Sequence, residues 1–252
     1  MSAGSDRPLA GRLALVTGAS RGIGRALALG LARAGAHCIL VARTAGALED
    51  VDDIIQQEGG QAATLVPLDL ADVAGIDRLG GAIAERWGHL DILIGNAGYL
   101  GDLSPVPHIA PKDWECNIAV NLTANWRLIR ALDPLLRQSK AGRALFLTSG
   151  VAHSQKPYWG AYAASKAALE KLVQIYAAEV AQITSLRVNL LNPGPMRTVM
   201  RAAAMPGEDP ETLPPPEAIV PLVLELVSPA QKASGHVFSF PEWAAAHGVQ
   251  TG

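Results

Sequence analysis

The chain has 252 residues, 49% of them hydrophobic and 17% charged, with a formal net charge of −2, a balance that excludes disorder and offers nothing to nucleic acid or an anionic membrane surface. Its two cysteines, Cys38 and Cys116, have no CxxC spacing, and its six histidines show no paired ligand pattern, so neither a disulfide framework nor a metal site is expected. The opening "MSAGSDRPLAGR" lacks the apolar stretch of a secretory leader and no apolar run is long enough to span a membrane, which predicts one cytoplasmic domain over residues 1–252.

In chain order, short apolar runs alternate with amphipathic stretches. Strands are predicted over Leu13–Thr17, His37–Ala42, Ala62–Pro67, Asp91–Gly95, Arg143–Ser149, Leu186–Asn192 and His236–Ser239. Helices are predicted between them, over Ile23–Ala34, Ala45–Glu58, Val73–Trp87, Pro111–Leu136, Ala161–Ala181 and Glu217–Val227. The strands are almost continuously hydrophobic, as strands buried on both faces should be. Strict alternation with right-handed crossovers predicts an α/β fold: a doubly wound, seven-stranded parallel sheet, or Rossmann fold. Residues 195–216, rich in Pro and Met, break the rhythm and are expected to form a short lid within that single domain. Met196, Met200 and Met205 fall there, and flexible thioethers suit an apolar cover over an organic substrate.

The first strand runs into "TGASRGIG", which places Gly18, Gly22 and Gly24 in the spacing G-x-x-x-G-x-G, with Ser20, Arg21 and Ile23 between them. A turn without Cβ atoms lets main-chain amides approach a pyrophosphate, and the helix that follows adds partial positive charge. Because the motif follows a strand and opens a helix, dinucleotide binding is the favoured reading. The second strand ends in "CILVARTAG", with Ala42 and Arg43 where an acid would meet a free ribose 2′-hydroxyl. Arg43, helped by Arg21, suits a 2′-phosphate, so NADP(H) is favoured and NAD(H) is the alternative.

"LTSG" closes the fifth strand and puts Ser149 at the ligand-facing end. Its surroundings are not G-x-S-x-G and no triad partners follow, so a hydrogen-bonding role is expected. Tyr162 and Lys166, in "YAASK", stand one above the other on a helix. A free phenol titrates near about 10, and a neighbouring ammonium is expected to lower that value. Such a phenol can give a proton to a nascent alkoxide and retrieve it in reverse. His153 reads as an exposed loop residue. Tyr99, Leu100, Val151, Tyr158 and Trp159 flank these elements and suggest a moderately apolar ketone, aldehyde or secondary alcohol as substrate.

"TGASRGIG", "DL" at 69–70, "NAG" at 96–98, Asn121 in "VNLTA", Ser149, "YAASK" and "NPG" at 192–194 appear in order. Together they resemble the short-chain dehydrogenase/reductase family over nearly the whole chain. The resemblance implies an NAD(P)-dependent oxidoreductase with Tyr162 as general acid/base and Ser149 orienting the carbonyl. On the same model Lys166 tunes Tyr162 and binds ribose, and Asn121 holds a relay water. It further implies Asp69 and Leu70 near adenine and Asn96, Ala97 and Gly98 packed on the cofactor. Pro193, Gly194 and Thr198 would hold the carboxamide. The family's frequent "NNAG" is "GNAG" here, beginning at Gly95. The segment from "NPGPMRT" to "MPGEDPE" resembles bacterial reductases grouped beside the 3-oxoacyl-carrier-protein reductases. Family members form dimers or tetramers, so a homodimer or homotetramer through the helices at 111–136 and 161–181 is implied. Two other functions stay open: an NAD-linked alcohol dehydrogenase, and a nicotinamide-binding sensor or scaffold without catalysis, whose mark would be loss of Ser, Tyr or Lys from the centre.

Overall fold

Successive strand side chains point to opposite faces, and both faces here are apolar. In the computed structural model, which describes residues 7–249, Ala14 and Val16 enter one core cluster and Leu13 and Leu15 the other. The same division separates Cys38 and Leu40 from Ile39 and Val41, and Leu145 and Leu147 from Ala144 and Phe146. Residues 1–6 and 250–252 of the expected domain lie outside the described residues.

The strands are β1 (Leu13–Thr17), β2 (His37–Ala42), β3 (Thr64–Pro67), β4 (Ile92–Gly95), β5 (Arg143–Leu147), β6 (Arg187–Asn192) and β7 (Val237–Ser239). They form one seven-stranded sheet in the order β3-β2-β1-β4-β5-β6-β7, with every pairing parallel. The order reverses between β1 and β4, where a doubly wound sheet opens a crevice beyond its strand ends. On one face pack α1 (Gly22–Arg33), α2 (Ala45–Gln57) and α8 (Val220–Val227), through Leu27, Leu31, Val51, Ile55 and Leu222 among others. On the other lie α3 (Val73–Trp87), α5 (Ala124–Gln138) and α6 (Gly160–Ala181), through Ile76, Ile83, Leu128, Leu132, Leu169 and Val173.

Several boundaries differ from expectation for visible reasons. β3 starts at Thr64 rather than Ala62; the Ala63 N–H donates to Asp52 of α2 at 2.6 Å. The single helix expected over Pro111–Leu136 is three pieces: α4 (Pro111–Asn117), a π-helical turn over Ile118–Thr123, and α5. In that turn the Asn121 carbonyl takes a hydrogen bond from the Asn125 side chain at 2.9 Å, and local widening of this kind recurs at functional sites. Two short helices were not predicted: α7 (Val199–Ala204) inside the expected lid, and α9 (Phe240–Ala246). The sequence did carry a signal for α9, because Ser239 and Glu242 form the S-x-x-E start pattern with Pro241 in the first turn. No helix among the described residues is long and apolar enough to cross a membrane.

Candidate functional site

A cavity of about 630 Å³ opens beyond the carboxyl ends of β1, β2, β4, β5 and β6. Its phosphate end is made mostly of backbone. Gly18 and Gly22 adopt φ of 66° and 53°, a region that penalises any Cβ. A Cβ on Gly24 would collide with the Gly18 carbonyl and the Asn96 amide. The first hydrogen bond of α1 runs from the Arg25 N–H to the Arg21 carbonyl at 3.3 Å, so the N–H groups of Gly22, Ile23 and Gly24 lack partners within the helix. They form the amide end of a helix dipole facing the cavity, a setting that favours an anion. Ser20, Arg21, Arg43, Asp69 and Leu70 line the same end. Asp69 also accepts the Ala71 N–H at 2.9 Å, so it shapes its own turn while facing the cavity.

The turn at Asn96, Ala97 and Gly98 is fastened to this loop by a buried hydroxyl. Thr17 Oγ1 accepts the N–H groups of Asn96 and Ala97 at 3.0 and 3.1 Å, and the Asn96 amide donates to the Thr17 carbonyl at 2.9 Å. Opposite, Asn192 Oδ1 accepts the N–H of Gly150 at 3.1 Å and of Gly194 at 3.0 Å, joining the turn after β5 to the turn after β6. Gly194 has φ of 67°, and a Cβ there would lie 2.5 Å from Pro241. Pro193, Gly194 and Thr198 line the cavity; Thr198 caps α7 by accepting the Arg201 N–H at 3.1 Å. The segment expected as a lid is folded, braced by ion pairs Arg201–Glu208 at 2.6 Å and Arg197–Glu211 at 2.8 Å.

At the reacting end, Ser149, Tyr162 and Lys166 line the cavity together. Ser149 starts a 3-10 turn over Gly150–His153, and its hydroxyl accepts the Val151 N–H at 3.4 Å. The Lys166 ammonium is buried, donates to the Leu147 carbonyl at 2.8 Å, and lies 5.7 Å from the centre of the Tyr162 ring. The expected lowering of the phenol's pKa is not what the protein alone produces. Burial pushes Tyr162 up to about 12, with the Ser149 hydroxyl working in the opposite direction. Burial likewise lowers Lys166 to about 8, opposed by the charge of Glu170. Desolvation decides both directions because both groups sit out of water and the ammonium is directed at the Leu147 carbonyl.

Asn121 is fully buried and does not line the cavity. Its Oδ1 accepts the Tyr99 N–H at 2.7 Å, and its amide nitrogen lies 2.9 Å from the Tyr99 carbonyl and 2.9 Å from Ser165 Oγ. A Cβ on Gly98 would fall 3.5 Å from Asn121 Oδ1 and 3.8 Å from Lys166 Nζ, so both side chains border the Gly98 turn. Asn117, which sequence reasoning passed over, continues the ladder at 3.0 Å from the Asn121 amide and donates to the Leu100 carbonyl at 3.1 Å. A second omission is Glu170, buried one turn beyond Lys166. It accepts the Thr148 hydroxyl at 2.5 Å and pairs with His153 at 2.6 Å, gripping the chain on both sides of Ser149. Its spacing from Lys166 on the helix was the available signal. His153 is exposed and does not line the cavity.

Tyr99, Leu100, Val151, Trp159, Met196 and Met200 line the rest of the cavity. Tyr158 does not line it, and Met205 packs against the cluster of Trp159, Tyr162 and Ala204. Among the described residues no group of three or more His, Cys, Asp or Glu could hold a metal ion.

A family model described as short chain dehydrogenase matches residues 12–209. The "Uncharacterized oxidoreductase YciK" of Escherichia coli (strain K12) is 43% identical over 218 residues, covering 86% of each chain. A short chain dehydrogenase structure from Escherichia coli CFT073, complexed with NADPH, matches with TM-score 0.89 and 41% identity over 93% of this chain and 98% of that one. Another, from Shigella flexneri 2a str. 301 and complexed with NADP, matches with TM-score 0.89 and 40% identity, again over 93% and 98%.

Proposed function

Since the chain belongs to the short-chain dehydrogenase family of oxidoreductases, we propose that it is an NADP(H)-dependent enzyme interconverting a carbonyl and a secondary or primary alcohol. The observation that carries this reading is the single cavity lined by Ser149, Tyr162 and Lys166 at one end and by the glycine turn with Arg43 at the other. The residues present fit a dinucleotide: the turn has no Cβ in its way, helix amides face the cavity, and Arg21 and Arg43 supply cations without a neighbouring acid at the end of β2. Two similar structures hold NADP and NADPH, which supports the phosphorylated cofactor.

Bound NADPH would supply a hydride to the carbonyl carbon. Tyr162, held protonated by burial, carries the proton that the carbonyl oxygen needs. Ser149 offers its hydroxyl to the same oxygen and orients it. Lys166 keeps a positive charge behind the phenol and would contact ribose. Asn121 and Asn117 set the backbone at Tyr99 and Leu100 and act as positioning residues; a relay water beside Asn121 remains part of the proposal. Asp69, Leu70, Asn96, Ala97, Gly98, Pro193, Gly194 and Thr198 complete the cofactor walls. The segment 195–216 serves as the lid.

We also assign the protein to the cytoplasm and to a homodimer or homotetramer. Trp114, Trp126 and Ile175 are exposed on α4, α5 and α6, the helices expected to pair. Sedimentation of the full chain tests the assembly. The function is tested by incubating NADPH with a panel of apolar aldehydes and ketones and following loss of reduced-nicotinamide absorbance. Tight cofactor binding with no turnover across the panel would refute catalysis and favour a sensor.

A further inference from the structure

Six charged side chains line the cavity, and five have a place already. Arg21, Arg43 and Asp69 stand at the phosphate end and Lys166 at the reacting end. Arg201 is closed by a two-pronged contact with Glu208, both bonds at 2.6 Å. Lys156 remains. Among the described residues it has no carboxylate within ion-pair distance. Its ammonium lies 4.7 Å over the Trp159 ring and 3.8 Å from the Met205 sulfur. Trp159 in turn meets Tyr162 edge-on, with ring centres 6.0 Å apart. The cation therefore sits one aromatic ring beyond the phenol.

The ground between them is apolar. Trp159, Tyr162 and Ala204 form a buried cluster, with Leu100, Leu103, Val151 and Met205 packed against it. The loop carrying Lys156 is fixed at its far end. Tyr158 is the one non-glycine residue with positive φ among the described residues, at 75°, and its carbonyl accepts the Ser104 N–H at 3.1 Å. With both oxygens of Glu208 engaged by Arg201, the trio of Lys156, Arg201 and Glu208 carries one net positive charge. A lysine laid along an indole keeps its head in water and its stem on apolar surface.

We propose that this end of the cavity takes a carbonyl compound whose apolar body ends in a carboxylate, with the carbonyl at Tyr162 and the carboxylate at Lys156. The inference rests on the oxidoreductase reading above. One net charge matches a monoanion, and the apolar wall matches a hydrocarbon or aromatic spacer. In the reaction the carbonyl carbon gains a hydride from the reduced nicotinamide dinucleotide, which is thereby oxidised, and the oxygen gains the Tyr162 proton.

The test compares 4-formylbenzoate with its methyl ester, which share one ring and one aldehyde. KM is measured with NADPH, and Kd by calorimetry on the full chain with NADP⁺, where no hydride is available. The wild type should prefer the acid by about two- to fivefold in both quantities, the scale of an exposed ion pair, and added salt should shrink the preference. In Lys156→Met the acid-to-ester ratio should fall to about one, and in Lys156→Glu it should invert. Equal or better binding of the ester by the wild type, an unchanged ratio in both variants, or no binding of the acid each overturns the proposal. A Lys156-dependent preference in Kd with no turnover of either probe or of the wider aldehyde and ketone panel supports the anion site and refutes the oxidoreductase reading. Turnover of both aldehydes with no acid preference does the reverse.

Discussion

The two ends of the cavity are built on different principles. At the phosphate end, nearly everything follows from local backbone: Gly18 and Gly22 turn through positive φ, Gly24 presses against the Gly18 carbonyl, and α1 presents its free amides. At the reacting end, the geometry is assembled from distant parts. Ser149 comes from the turn after β5, Tyr162 and Lys166 from α6, and the supports behind them from the π-helical turn and from Glu170. On the proposed function the first end offers amides and cations to an anion, which needs no exclusion of water. The second works by excluding water, and burial moves Tyr162 and Lys166 to about 12 and about 8. A site made of backbone is written in a few adjacent residues, whereas a site made of buried side chains acquires its chemistry only from its surroundings.

That contrast can be broken at either end. The largest effect is expected from Tyr162→Phe, which keeps the ring and removes the proton: turnover should fall by about 10²- to 10⁴-fold, with NADPH affinity unchanged by calorimetry. Near-normal turnover would show that the reacting end does not depend on the phenol. Next comes Gly24→Ala. The new methyl meets the Gly18 carbonyl and the Asn96 amide, so overpacking should cost about 1–3 kcal/mol. A melting scan should show a Tm lower by roughly 2–12 °C, together with weaker NADPH binding; a stable variant with normal affinity would mean that the turn has slack. Arg43→Ala should raise the Kd for NADPH by about tenfold and leave that for NADH alone, the scale of one charge-assisted hydrogen bond. Equal losses for both dinucleotides would remove Arg43 from the 2′-phosphate.

The pH profile of reduction should show an effect no larger than that of Arg43→Ala. Tyr162, at about 12, stays protonated throughout, so the profile follows Lys166. Its charged form is present below about 8 and lost above, so kcat/KM should be level from pH 6 to 7 and about tenfold lower by pH 9. A rate that climbs across this range would contradict the protonated phenol as donor.

Much of the fold was legible because hydrophobic periodicity and strand–helix alternation are local properties. All seven strands lie where the apolar runs place them, and the ordered motifs converge on one cavity with the exception of Asn121. What could not be read was three-dimensional. Nothing in "VNLTA" announces that Asn121 turns its amide to the Tyr99 backbone, or that Asn125 takes its carbonyl and opens a π-helical turn. Nor does "YAASKAALE" reveal that Glu170 holds Thr148 and His153. The amino-acid sequence by itself determined the doubly wound sheet, the glycine cradle and the identity of the groups that meet at the strand ends. Tertiary structure alone decided how those groups titrate and which cation on the cavity wall keeps no carboxylate partner among the described residues, because desolvation and pairing depend on neighbours far apart along the chain.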